Sequence, residues 1–453
     1  MSYQVRSILQ WLDTDSSNPV PVFWFKDQFI SVQDLRGEVV ELHHHLLTLS
    51  AKRVALYFED HYSFVISLLA CLYAKKIPVL LSQTKLSRIA IESQHYDLLL
   101  SEHTIDQDID GEVFQPRESL QPVSGDLPAL SLQQTIELFT SGSSGHPKKV
   151  VKTLQQMDDE SRLIAPLLHS RLADSCLLTT VNPCHLYGLT FTVWLPFSLG
   201  IPVNRKRVIF PEEFSAHVTN RCYTLITSPA FLKRIDETLS PPPTSLVLSA
   251  GGPLDLPVTT KINAWLGVGV DEIYGSTETG VMAHRYRETI ERPWRCLPDV
   301  RFTPIEDHWL LKSPLVTEVT GLALSDALTF VDDDCFHLAG RLSRLIKLEE
   351  KRISLDEIER QVLALEGIID AAVMAITQRG RKRIAALVVM SAEQEQQWRL
   401  NRIATERLWR KTLGIYLEDI AIPRYWRSVT SIPCDALHKR QESRLQELFF
   451  ETH

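Results

Sequence analysis

Four stretches of this chain set hydroxyls, glycines and charges at spacings that suit phosphate chemistry. The densest is Phe139-Thr140-Ser141-Gly142-Ser143-Ser144-Gly145-His146-Pro147-Lys148-Lys149. It follows a predicted strand. Its glycines let the backbone turn its N–H groups toward an anion, its hydroxyls add donors, and Lys148 adds charge. It is not the GxxxxGK[ST] loop, because Pro147 stands where that pattern needs glycine, which argues against a P-loop phosphotransferase. The second stretch is Glu272-Ile273-Tyr274-Gly275-Ser276-Thr277-Glu278-Thr279-Gly280. An aromatic ring at a strand end can stack on a flat base. A hydroxyl beside a carboxylate can hold phosphate and Mg²⁺ together, since magnesium prefers oxygen ligands and shared phosphate. The third runs from Gly340 through Arg341, Ser343, Arg344 and Lys347 to Arg352 and a helix bearing Glu357 and Glu359; the fourth is Pro433 followed six residues later by Lys439. Taken singly, these are a Ser/Gly surface loop, a polar turn and two patches of surface charge.

Something must position them, and the apolar pattern supplies it. RVALYF (from Arg53) and IPVLL (from Ile77) are short buried-strand runs, and YSFVISLLACLYAKK between them has helical spacing. YDLLLS and TIELFTSG are two more strands. SCLLTT, a helix through LTFTVWLPFSLG, YTLITSPA and TSLVLSAGG then repeat the alternation. Strand–helix–strand grammar predicts mostly parallel sheets covered by helices, an α/β fold. The triple proline at 241–243 is a rigid connector. Near Gly340 the character changes to strands (AAVMAI, RIAALVVMS) alternating with amphipathic helices (LDEIERQVLALEG, EQQWRLNRIATERLWRKTLG). The expected organisation is a large N-terminal domain over 1–339 and a small α+β domain over 340–453.

Composition bounds the functional class. Of 453 residues, 44% are hydrophobic and 23% charged, ordinary for a globular protein of more than one domain. No apolar run reaches the eighteen residues of a spanning helix, and the N-terminus lacks a basic stretch followed by an apolar one. The seven scattered cysteines never form CxxC, which speaks for reduced thiols, a cytoplasmic location and no structural zinc. From Arg341 onward the chain has 20 Lys/Arg against 16 Asp/Glu, a balance of +4; the remainder, 28 against 40, carries −12. Overall acidity disfavours nucleic acid as a partner. His43, His44 and His45 diverge by roughly 100° each on a predicted helix, so they form no ligand face and are expected at the surface.

In this order and spacing, the four stretches resemble the adenylate-forming superfamily: acyl- and aryl-CoA synthetases, carrier-protein ligases and peptide-synthetase adenylation domains. The resemblance covers nearly the whole chain, and LSAGGPL (from Leu248) is similar to that family's adenine loop. It implies that Thr140, Ser141, Gly142, Ser143, Ser144, Gly145 and Lys148 close over the β- and γ-phosphates of ATP. Tyr274 would stack on adenine, with Gly251, Gly252 and Glu272 around the base. Thr277 would contact the α-phosphate and Glu278 would ligate Mg²⁺. Asp326 would grip the ribose with help from Arg341. Lys439, on a small C-terminal domain that is mobile, would bridge the substrate carboxylate and α-phosphate. The acid pocket is expected between His185 and Trp194, around Ser228 and Pro229, and beside Ser249, a mixture suited to an aryl or medium-chain acyl group.

The resemblance also implies a phosphopantetheine thiol as acceptor. Four positions depart from the family pattern: Lys149, Ser343, Glu350 and His438. Glu350 replaces a glycine that lines the family's thiol tunnel, and the chain is short for the family. Both favour an acyl carrier protein, in a bacterial aryl-polyene, polyketide-like or fatty-acid setting, over free coenzyme A; the basic tail suits such an acidic partner. Use of free coenzyme A is one alternative. Another is a non-catalytic nucleotide- or acyl-binding protein, against which Lys439, Glu278 and Asp326 argue.

Overall fold

The fold was analysed in a computed structural model, which describes residues 4–13, 20–26, 28–81, 89, 92–103, 112–114, 125–141, 147–217, 221–306, 308–341, 344–348, 351–378, 381–417, 419–433, 440 and 442–451. The chain divides into two compact units, Met1–Arg301 with Lys312–Gly321, and Phe302–Leu311 with Leu322–His453.

The first unit contains β1 (Pro21–Phe25), β2 (Gln28–Ser31), β3 (Arg53–Tyr57), β4 (Ile77–Leu80), β5 (Leu98–Ser101), β6 (Glu112–Phe114), β7 (Thr135–Ser141) and β8 (Pro147–Thr153). It continues with β9 (Ser175–Thr179), β10 (Val203–Asn204), β11 (Cys222–Thr227), β12 (Thr244–Ser249), β13 (Val270–Ser276), β14 (Gly280–Arg287) and β15 (Trp294–Cys296). One sheet runs β6-β5-β3-β4-β7-β8, parallel except for the closing β7–β8 hairpin. In the other, β1, β10, β9, β11, β12 and β13 are parallel neighbours, extended by antiparallel β2 at one end and β14–β15 at the other. The mostly parallel α/β architecture expected from the sequence is therefore present. Helix His61–Tyr73 is buried along its whole length. That is why its sequence is apolar all round, as a helix covered on every side must be.

Helix Val32–Thr48 corrects one expectation. His43 is 4% exposed and faces inward with Val39, Val40 and Leu46, and burial lowers the pKa of its ring. The 3.6-residue period turns this one imidazole of the triplet onto the apolar stripe, whereas His44 and His45 are half-exposed.

The second unit carries a three-stranded sheet of β16 (Arg301–Ile305), β17 (His308–Lys312) and β18 (Leu322–Ala323), and the hairpin β19 (Asp326–Phe330)–β20 (Cys335–Arg341). A short hairpin, β21 (Leu345–Leu348)–β22 (Lys351–Ser354), leads to a sheet of β23 (Ile368–Gln378), β24 (Arg381–Met390) and β25 (Tyr425–Ser428). Helix Leu355–Leu363 buries Leu355, Ile358 and Val362, whose spacing places them on one stripe. The amphipathic stretch after β24 forms two helices, Ala392–Leu400 and Arg402–Leu413, instead of one. Asn401 separates them: its backbone leaves helical geometry (φ −145°, ψ 64°) and its side chain accepts from the Ala404 N–H. Asparagine competes for backbone donors in this way and is a favoured N-cap. Among the described residues no helix is long and apolar enough to cross a membrane.

Candidate active site

The site of the first unit is assembled by two antiparallel hairpins. In the antiparallel β7–β8 pair Thr140 pairs with Lys148 and Ser141 with Pro147. Gly142, Ser143, Ser144 and Gly145 lie outside the described residues. In the β13–β14 hairpin Gly275 pairs with Val281 and Ser276 with Gly280. A Cβ on Gly275 would lie 2.4 Å from the Gly280 carbonyl oxygen, and Gly280 has φ +68°, so glycine is required at both ends of this turn. Within it the Thr279 hydroxyl accepts from the Ser276 N–H at 3.0 Å, and the Thr279 N–H donates to the Ser276 hydroxyl at 3.2 Å. These bonds hold Thr277 and Glu278 on a closed turn.

The two hairpins meet through charge. Lys148 Nζ donates to Glu278 Oε1 at 2.9 Å, across 130 residues of sequence. Partial burial pushes the Glu278 carboxyl up, but its hydrogen bond with Lys148, aided by a backbone donor and Ser276, outweighs this and holds the group below the usual carboxylate range. Beneath the pair, Lys152 is 4% exposed and donates to the Glu278 carbonyl at 3.0 Å; burial lowers its pKa. Glu160, fully buried, accepts from the Thr190 hydroxyl at 2.7 Å and the Val281 N–H at 2.8 Å, with burial raising its pKa. Lys152 and Glu160 escape sequence reading: a glutamate on the inner stripe of helix Leu154–Leu172 marks the second, while Lys152 is one of three lysines in β8 and nothing local singles it out.

The hairpin that presents Tyr274 is pinned by two successive buried carboxylates pointing to opposite faces of β13, as strand alternation requires. Asp271 accepts from Arg171 at 2.5 and 2.8 Å and is 2.6 Å from His284 Nε2. Glu272 accepts from Arg285 at 2.9 and 3.1 Å and from Arg287 at 2.6 Å. The Glu272 carboxylate, expected beside the nucleotide base, is thus engaged by two arginines. Tyr274 is half-exposed, its ring 5.7 Å from that of Trp294, over which Arg285 is stacked at 4.3 Å.

Around the expected acid pocket, Ser228 precedes helix Pro229–Leu232 at the N-cap position without a side-chain capping bond, and a Cβ on Gly252 would fall 3.9 Å from Pro229 Cγ. Ser249 is 1% exposed, and its hydroxyl has no hydrogen-bond partner among the described residues. Gly251, two residues on, has φ +89° and is exposed. His185 is half-exposed at the start of helix Leu186–Leu189, and the Tyr187 hydroxyl is 2.9 Å from both the Thr227 and Leu248 carbonyls. Trp194 is elsewhere. It closes a π-helical turn, Thr190–Trp194, is fully buried, donates to Asp158 at 3.2 Å and packs edge-on against Trp11 at 5.1 Å. Its place is in the packed interior, where an indole needs an acceptor.

In the second unit Asp326 and Arg341 stand directly opposite each other in the β19–β20 register. Lys439, His438, Ser343 and Glu350 lie outside the described residues. Arg440, next to the lysine, is anchored to Glu359 and Asp370 at 2.5 Å each; Glu359 also accepts from Arg344 at 2.8 Å and from the Val373 N–H at 2.9 Å. Glu359 therefore ties the segment after Gly340 to the segment bearing the candidate lysine.

The family of AMP-binding enzymes matches residues 115–303 of the chain. A 4-coumarate–CoA ligase of Halorhodospira halophila is 24% identical over 312 residues, 67% of this chain and 74% of the relative. ATP-bound MatB from Rhodopseudomonas palustris is similar in fold, with TM-score 0.80 and 17% identity over 98% of each chain. The O-succinylbenzoate coenzyme A synthetase MenE from Bacillus subtilis, in complex with AMP, has TM-score 0.79 and 17% identity over 96% of this chain and 98% of that one.

Proposed function

We propose that this chain, which has the fold and the sequence motifs of the adenylate-forming superfamily, activates a carboxylic acid with ATP and passes the acyl group to a thiol. The observation that carries this reading is the Lys148–Glu278 contact, which joins the start of β8 to a hydroxyl-rich turn and sets a cation and an ionised carboxylate side by side. A magnesium nucleotide needs both kinds of group: a cation for the outer phosphates and an oxygen ligand for the metal. The residues fit. Glu278, kept deprotonated, is the ligand for Mg²⁺, which when bound supplies neutralisation of phosphate charge. Thr277 is the donor to the α-phosphate, Thr140 and Lys148 serve the outer phosphates, and Tyr274 provides the face for adenine. Asp326, opposite Arg341, binds the ribose hydroxyls.

In the first half-reaction a carboxylate oxygen of the substrate bonds to the α-phosphorus and the bond to pyrophosphate breaks. Lys439 is assigned to the oxygens on which charge accumulates. In the second, a thiol loses its proton and attacks the acyl carbon, and AMP leaves with the bonding electrons. The small C-terminal domain moves between these steps, as one site serving two reactions requires. The acceptor is a phosphopantetheine-bearing carrier protein rather than free coenzyme A, on the strength of Glu350 and the basic tail. The buried Ser249 hydroxyl, without a hydrogen-bond partner among the described residues, offers a donor for a polar group of the bound acid or nucleotide.

Acid-dependent exchange of pyrophosphate into ATP, across a panel of aryl and medium-chain acids, tests this function. Exchange with one acid class, abolished in Lys439→Ala, is the expected result. Absence of exchange with every acid would instead support a non-catalytic binding protein.

A further inference from the structure

Helix Arg402–Leu413 is held to its own unit by one face. Trp409 and Leu413 are buried, Trp409 lies 4.9 Å from the ring of Trp426, and Arg402 donates to the Trp426 carbonyl at 3.1 Å. Successive residues turn by about 100°, so Ile403, Arg407, Leu408 and Lys411 fall on the side away from Trp409 and Leu413, and Arg410 at its margin. Arg407 and Lys411 form a central basic ridge, with Ile403 and Arg410 flanking it on one edge and Leu408 on the other. Ile403 is 74% exposed and Leu408 62%; close to the helix ends in sequence, Leu400 (80%), Ile415 (72%) and Tyr416 (67%) are exposed as well. Isolated apolar side chains at a surface are ordinary; two on one helix with three more within three residues of its ends are a concentration.

The charges are equally one-sided. Glu406, the helix's one carboxylate, is paired with Arg402 at 2.7 Å. Among the described residues, Arg407, Arg410 and Lys411 have no ion-pair partner. Arg410 and Lys411 complement the helix C-terminus, which accounts for their sign but not for the exposed leucine and isoleucines around them. Cations interleaved with exposed apolar side chains fit, by charge complementarity, a protein surface that offers carboxylates beside apolar side chains. A bilayer-seeking helix would place its apolar residues on one continuous face, separate from its cations.

We infer that this face is the docking surface for the acidic carrier protein that brings the acceptor thiol. The inference rests on the carrier-protein reading of the acceptor proposed above and locates that partner on the second unit.

The test is the steady-state charging of a phosphopantetheinylated, acidic acyl carrier protein by the full chain, using the acid selected by pyrophosphate exchange. Two variants are compared with the parent: Arg407→Glu/Arg410→Glu/Lys411→Glu and Leu408→Asp. Each should raise KM for the carrier about tenfold or more, while pyrophosphate exchange and the thermal transition stay within about twofold and a few degrees of the parent. Added salt should weaken carrier use by the parent and have less effect on the triple variant. An unchanged carrier KM in both variants overturns the inference even if the parent charges the carrier well. A parent that charges only free coenzyme A overturns the acceptor reading and this surface with it. Two other results assign the face elsewhere: sedimentation of the parent, but not the variants, with anionic phospholipid vesicles, or a concentration-dependent dimer that Leu408→Asp dissolves.

Discussion

Lys148 Nζ and Glu278 Oε1 lie 2.9 Å apart, the one on β8 and the other on the turn between β13 and β14. Each hairpin is closed by local hydrogen bonding, and only their packing joins the two groups. The pair is partly solvent-exposed, with the Lys148 side chain at 62%, so its value lies in placing charge and little in stability.

From this pairing, Glu278→Gln and Lys148→Ala should each leave the thermal transition almost unchanged. Both should lower acid-dependent pyrophosphate exchange by about 10²–10³-fold, the usual consequence of losing one transition-state contact. Raising the magnesium concentration should partly restore Lys148→Ala and not Glu278→Gln. Equal loss of exchange and of folding would remove the catalytic assignment.

Glu272 should behave differently. Its carboxylate pairs with Arg287, which is 1% exposed, so Glu272→Ala leaves that buried cation with the exposed Glu291 as its remaining ionic partner among the described residues. Destabilisation of about 3 kcal/mol in urea titrations is expected, the lower end for breaking a buried pair, because Glu291 still holds Arg287. If Glu272→Ala folds with parental stability yet binds ATP poorly, the group contacts nucleotide instead.

Trp194→Ala should cost about 3–5 kcal/mol, because it empties core volume and leaves Asp158 without its indole donor. The order of preference among acids in the exchange assay should be unchanged. A changed order would return this residue to the acid pocket.

His61 gives a pH signature. Burial, with Arg207 nearby, lowers its pKa to about 3, and neither ring nitrogen has a hydrogen-bond partner among the described residues. Below about pH 6.5 the unfolded chain takes up a proton that the folded chain refuses. Stability is therefore full above that pH and falls by up to roughly 1.4 kcal/mol per pH unit as pH drops toward 3. Urea titrations from pH 6.5 to 5 should show a shallower slope for His61→Gln than for the parent; identical slopes would show that the ring protonates in the fold.

Much of this was legible in the linear chain, since periodicity and local turn chemistry act over a few residues. The strand runs at Arg53, Ile77, Ser175, Cys222 and Thr244 are apolar because both faces of a parallel sheet are covered, and that pattern predicts the α/β class. Gly275 and Gly280 mark the β13–β14 turn because no side chain fits there. The residue types and order of the two loops likewise suffice to suggest phosphate chemistry. Tertiary structure decided which charges meet and which are spent on stability. A sequence gives no distance between residues 148 and 278, and it cannot show that Glu272 is engaged by Arg285 and Arg287 while Glu278 faces Lys148. The tertiary structure placed His43 and Trp194 in the interior and left Leu408 outside, because burial depends on what lies opposite each face, and that neighbour comes from elsewhere in the chain.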